Sequence, residues 1–167
     1  MPELSPLSYL VLGLIDRAGE ATPYELKQMA VQASDLWALR HDQVYREPAR
    51  LAQLGLLSET REEEGRRRRH FRLTEAGRRA LQEWLSEPTA ELPELRDPGL
   101  LRLFLGAEPV ALAAVQIEAH ERKLREYEQI TAEQGEELPA GMRIALDAGL
   151  AHEREWVRFW RRVQSGE

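Results

Sequence analysis

Apolar positions in this chain recur at two different periods, and the change from one to the other marks out its elements. Leu7, Leu10, Val11, Leu14 and Ile15 follow steps of three and four, which predicts a buried helix from Leu4 to Arg17 with Ser5 and Pro6 at its N-cap and first turn. Ala18-Gly19-Glu20-Ala21 interrupts it, and Thr22-Pro23 starts a second helix expected to turn Tyr24, Leu26, Met29 and Ala30 inward. An irregular stretch from Ala33 to Arg40 leads to a third helix, whose buried face would carry Val44, Leu51, Leu54 and Leu57, with Gly55 as its stop. The period then becomes two. Leu57, Glu59 and Arg61 alternate with Ser58, Thr60 and Glu62, and Phe71 and Leu73 alternate with His70 and Arg72, on either side of Glu64-Gly65. That is a β-hairpin turning at the glycine. Thr74 follows as an N-cap, with Glu75 in the first turn of a helix carrying Ala76, Ala80, Leu81 and Leu85. Three helices, a hairpin and a helix in this order are the arrangement of a winged helix-turn-helix domain, here residues 1–87.

Beyond Glu87 the composition changes. Pro88, Pro93 and Pro98 mark a linker with a short helix, Asp97 to Leu105, behind it. Gly106 and Pro109 frame the start of a long helix to about Gln134, and EQGEELPAG forms a loop before a last helix from Ala140 to Gln164. Val110, Ala113, Ile117, His120, Leu124 and Tyr127 make one seam of alternating three- and four-residue steps. Met142, Ala145, Gly149, His152, Trp156, Phe159 and Val163 make a second. Two antiparallel helices cover one seam each, so Leu112, Ile130, Leu146, Val157 and Trp160 are left over, and a second copy of the chain is the expected cover. The expected dimer contacts are Val110, Ile117, Leu124, Tyr127, Met142, Trp156, Phe159 and Trp160. The fold class is therefore mainly α with a small β-hairpin: a winged helix-turn-helix domain followed by a C-terminal antiparallel helical dimerisation domain, residues 88–167.

The formal net charge of −6 argues against a nucleic-acid partner until its layout is considered. From Arg40 to Arg79 there are 11 lysines and arginines against 7 acidic residues; from Pro88 onward there are 10 against 15. The charge is segregated, with the basic excess on residues 40–79, as a protein with one DNA-facing module requires. The chain has no cysteine, hence no disulfide framework and no thiolate metal site. No apolar run reaches membrane-spanning length, and MPELSPL lacks the basic start of a signal peptide, so a cytoplasmic protein without membrane contact is expected.

The sharpest chemical signal is Arg66, Arg67, Arg68 and Arg69 at the hairpin tip, with His70 beside them. Such a tract can neutralise phosphates or enter a narrow minor groove; the bland alternative is a solvated turn balanced by Glu62 to Glu64. The third helix offers Arg40, His41, Gln43, Tyr45, Arg46 and Arg50 to the major groove, where arginine pairs with guanine and glutamine with adenine. Gln43 and Arg46 rank first, because Tyr45 equally suits packing and Arg50 an ion pair within the domain. Tyr24 and Lys27, at the start of the preceding helix, are phosphate candidates. His120 and His152 stand in two matching Ala-His-Glu-Arg fragments, but neither helix adds the further inward ligands a metal needs, and a seam histidine bonded to a carboxylate is expected instead. No metal or other cofactor is expected. Without Gly-x-Ser-x-Gly, a phosphate loop or His-Glu-x-x-His, neither is an enzyme.

LSYLVLGLI, PYEL, VYREPARLAQLGLL and RRRHFRLTEAGRRAL together resemble the PadR family of transcriptional regulators, in its longer form with a C-terminal helical dimerisation region. LPELRDPGLLRLFLG is similar to the connector of those longer members. The chain departs from the family at Pro23, where a glycine is usual, and at Arg46, where the family has proline after tyrosine. Its own proline is Pro48, which costs about 3 kcal/mol in a helix interior and so predicts either a first-turn position or a bend. The resemblance implies a homodimeric, sequence-specific DNA-binding regulator, a repressor on a palindromic double-stranded operator. It also implies a small aromatic or drug-like effector, for which Trp37, Trp84 and Trp156 are the candidate residues, against their plain reading as core or interface anchors. The alternative function is a winged-helix protein-protein interaction module without sequence-specific DNA binding.

Overall fold

A computed structural model of the chain describes residues 4–31, 41–62 and 68–167, with His41 and Asp42 described by their backbone alone. The chain falls into two compact units, Met1–Glu91 and Leu92–Glu167. In the first, α1 (Pro6–Ala18) opens on a reciprocal cap: the Ser5 hydroxyl accepts the Ser8 N–H, and the Ser8 hydroxyl accepts the Ser5 N–H. α2 (Pro23–Val31) is capped the same way, Thr22 accepting the Glu25 N–H while the Glu25 carboxylate accepts the Thr22 N–H and hydroxyl. α3 (His41–Gln53) closes with the Leu56 N–H on the Leu51 carbonyl and the Gly55 N–H on that of Ala52, Gly55 adopting φ 73°.

β1 (Leu57–Arg61) and β2 (Arg69–Leu73) pair antiparallel, Leu57 opposite Leu73 and Arg61 opposite Arg69. Ala21 adds a bridge to the outer side of Phe71, exchanging both backbone hydrogen bonds with it at 2.9 and 3.1 Å, so the hairpin is tied to the turn between α1 and α2. Thr74 caps α4 (Glu75–Ser86) as expected, its hydroxyl accepting the Gly77 N–H. Val11, Leu12, Ile15, Leu26, Val44, Leu51, Leu57, Phe71 and Leu81 form the shared core.

Three expected positions are corrected here. Tyr24 points outward and is 61% exposed, while Leu26, Met29 and Ala30 face inward on this short helix. Leu54 lies past the end of α3 and is exposed, and the positive-φ turn at Gly55 puts Leu56 into the core in its place. Of the two outcomes expected for Pro48 the first-turn position is ruled out, since it is fully buried inside α3.

The second unit holds α5 (Pro98–Phe104), capped by the Asp97 carboxylate, α6 (Pro109–Gln134) and α7 (Ala140–Ser165). α6 and α7 run antiparallel, as the pairs Glu121 with Arg161, His120 with Glu153 and Tyr127 with Gly149 establish. The α7 seam sits about one residue away from the expected line. Leu150, Val157 and Trp160 are the buried residues and His152 is exposed. Glu153, one position past the expected His152, faces His120, in keeping with that shifted line. Trp160 is buried completely within its own chain, against Gly99, which removes it from the expected dimer contacts. No helix among the described residues is long and apolar enough to cross a membrane.

Candidate nucleic-acid interface

The outward face of α3 is polar by construction. Val44, Glu47, Pro48 and Leu51, at helical spacing, are buried, which leaves Gln43, Arg46 and Gln53 exposed on the other side. Tyr45 stands at the edge, partly exposed, with the Lys27 ammonium 5.9 Å from its ring centroid. Lys27 and the exposed Tyr24, whose hydroxyl accepts from the Gln28 amide at 2.9 Å, bring the start of α2 onto the same surface. Gln43, Arg46, Tyr45, Lys27 and Tyr24 therefore form one polar surface built by two helices.

Arg50 is placed differently. Its Nε and Nη2 donate to the two oxygens of Glu47 at 3.0 and 2.6 Å, and Nη2 donates again to the Ser8 hydroxyl at 2.9 Å. The Glu47 hydrogen bond raises the already high Arg50 pKa further. This is the ion pair within the domain that Arg50 equally suited.

In the hairpin, Arg68 is exposed, but its two successors are engaged. Arg69 donates from Nε and Nη2 to Glu59 at 2.8 and 2.6 Å and lies over the Phe71 ring. Arg69, then Arg61, holds the Glu59 carboxyl down at about 2, against an ordinary 4.5. His70 bridges two carboxylates, Nδ1 to Glu20 at 2.9 Å and Nε2 to Glu62 at 3.2 Å, and Arg72 also pairs with Glu20. Contact with Arg72, the larger cause, and with His70 lowers the pKa of Glu20; contact with His70 and with the Arg68 backbone N–H lowers that of Glu62. Arg69 and His70 thus brace the base of the wing. Arg40, Arg66, Arg67 and Trp37, and the side chain of His41, lie outside the described residues.

Neither tryptophan of the effector set that is described stands alone. Trp84 stacks on Tyr9 with ring centroids 4.6 Å apart, and Trp156 donates from Nε1 to His152 Nε2 at 2.7 Å while stacking on His120. His120 in turn bonds Glu153 at 2.6 Å, the carboxylate partner expected of a seam histidine. No group of three or more potential metal ligands is found among the described residues. In the C-terminal unit Val110 is half exposed, and Ile117, Leu124, Tyr127, Met142, Trp156 and Phe159 are partly buried. Ser8 and Glu47 are buried polar residues that sequence reasoning did not single out. Their spacing, 39 residues apart, carries no local signal.

A helix pair whose second member exposes a polar face, followed by a two-stranded hairpin docked beside it, defines a winged helix-turn-helix protein. Comparison with known proteins narrows the class. Residues 11–83 match the family described as the transcriptional regulator PadR-like family. The match lies within the first compact unit. Comparison with curated proteins gives no match. Among solved structures, it is similar to Bacillus subtilis PadR in complex with operator DNA, with a TM-score of 0.86 at 20% identity over 98% of both chains. The same PadR in complex with p-coumaric acid gives a TM-score of 0.77 at 20% identity, over 95% of this chain and 96% of that one. The Vibrio cholerae virulence activator AphA gives 0.72 at 26% identity over 96% of both.

Proposed function

We propose that the protein is a homodimeric regulator that binds a specific double-stranded operator and represses transcription from it. The observation that carries this reading is the exposed surface of Gln43 and Arg46 on α3, with Lys27 and Tyr24 of α2 beside it. In it, residues 1–87 are the DNA-binding head and residues 88–167 the dimerising tail. Gln43 and Arg46 read base edges, Lys27, Tyr24 and Tyr45 contact the backbone, and the wing arginines Arg66, Arg67 and Arg68 grip phosphates or the minor groove next to it. Two heads would then fall on successive major grooves of a palindrome. Bacillus subtilis PadR, similar over the whole chain, was solved with operator DNA and with p-coumaric acid. By that likeness an aromatic acid is the effector class to test first, with Trp84 and Trp156 as the residues to follow.

Fluorescence anisotropy on duplexes from the gene's own upstream region, titrated with salt, tests the reading. The expected result is tight binding to one duplex with a steep fall in affinity as salt rises, and a shallower slope when Arg66 to Arg69 are replaced by alanine. The engaged state of Arg69 and His70 leaves a second reading in view, a winged helix that contacts proteins. Weak, salt-insensitive binding to every duplex would favour it.

A further inference from the structure

We propose that Glu47 is a positioning residue that sets the rotation of the reading segment of α3, acting through Ser8 of α1; the inference rests on the DNA-binding reading above. Glu47 is 9% exposed and Ser8 fully buried, so their contact is shielded from water. The Ser8 hydroxyl donates to Glu47 Oε1 at 2.7 Å, and Arg50 closes the triangle on both. Because Ser8 is the third residue of α1, the carboxylate also lies beside the electropositive end of that helix.

The reason α3 needs such a brace is Pro48. Its nitrogen carries no hydrogen, so the Val44 carbonyl loses the donor that an ordinary helix supplies from the fourth residue on. The turn holding Gln43 and Arg46 precedes that gap. Val44 and Leu51 fix how deep the helix sits, but apolar contact is non-directional and leaves rotation about the helix axis loosely defined. Glu47 follows Arg46 directly and is held by three donors from two side chains. Turning the segment so that Arg46 moved would break the Ser8 bond, which of the three is the one that crosses to another helix.

Hydrogen exchange on the full chain without DNA tests the brace itself. Glu47→Gln and Ser8→Ala should each speed exchange at the amides of residues 45–47 by about tenfold while α4 stays protected. Ser8→Ala keeps the Glu47–Arg50 pair and leaves no buried charge alone, so it serves should Glu47→Gln fail to fold. Against duplexes, both variants should lose about tenfold in affinity for the operator while non-specific affinity, set by phosphate contacts, changes by less than about twofold. Unchanged exchange at 45–47 in a folded variant overturns the proposal whatever the DNA result. An equal loss on operator and non-specific duplexes also overturns it, since that reports only a smaller folded fraction. Wild-type protein that binds no duplex in a salt-dependent way defeats the DNA reading instead, and the exchange result still decides whether Glu47 braces α3.

Discussion

Arg46 and Arg69 carry the same group, yet one is exposed on α3 and the other is held by two bonds to Glu59. A guanidinium already committed to a carboxylate has fewer donors for a phosphate. Arg46→Ala should therefore cost about 1–3 kcal/mol of operator binding with little change in stability, read by anisotropy and thermal melting together. Arg69→Ala should do the reverse, loosening the hairpin and leaving operator affinity less affected. Glu59 adds a pH signature. Its carboxyl is held at about 2 in the fold and near 4.5 when free, so its stabilising effect is complete above 4.5 and is lost as the pH falls toward 2. The melting difference between wild type and Glu59→Gln should be full at about pH 6 and should vanish near pH 2.

At the scale of elements, Gly77 shows how closely α4 is pressed against the end of α3. A Cβ there would lie 2.1 Å from the Leu56 carbonyl oxygen, which is backbone and cannot step aside. Gly77→Ala should destabilise the first unit by about 1–3 kcal/mol in urea unfolding, although alanine is the better helix former. Helix ends were legible in the sequence because caps are local: Ser5-Pro6, Thr74 and Pro109 each signal a start within three or four residues. Leu54 and Leu56 were not, since which one is buried depends on the positive φ of Gly55 between them. The rotation of α7 was hidden for a related reason. Its sequence offers two adjacent apolar lines, and which of them is buried depends on what α6 sets against it, such as His120 facing Glu153. In the candidate site, Gln43 and Arg46 could be ranked first from residue type and position. The engagement of Arg69 could not, because it depends on cross-strand register: Glu59 stands opposite Phe71, which makes Arg69 its diagonal neighbour.

For the whole molecule, the C-terminal unit leaves Phe104 at 86%, Leu105 at 73%, Val115 at 64% and Ile144 at 69% exposure, more apolar surface than an isolated helical pair leaves to water without cause. Under the dimer proposal, Phe104→Asp with Val115→Lys should shift light scattering from dimer mass toward monomer and weaken operator binding more than binding to a half-site. In the first unit the basic excess is confined to residues 40–79, which span α3 and the wing. One small connection there has a large consequence. Two backbone hydrogen bonds stitch Ala21 to Phe71, so the base of the wing is tied to the turn leading into α2. Under the proposed function, what meets a duplex is a jaw whose base is held to one gauge, and a signal arriving from elsewhere would work on the gap and tilt between two such jaws.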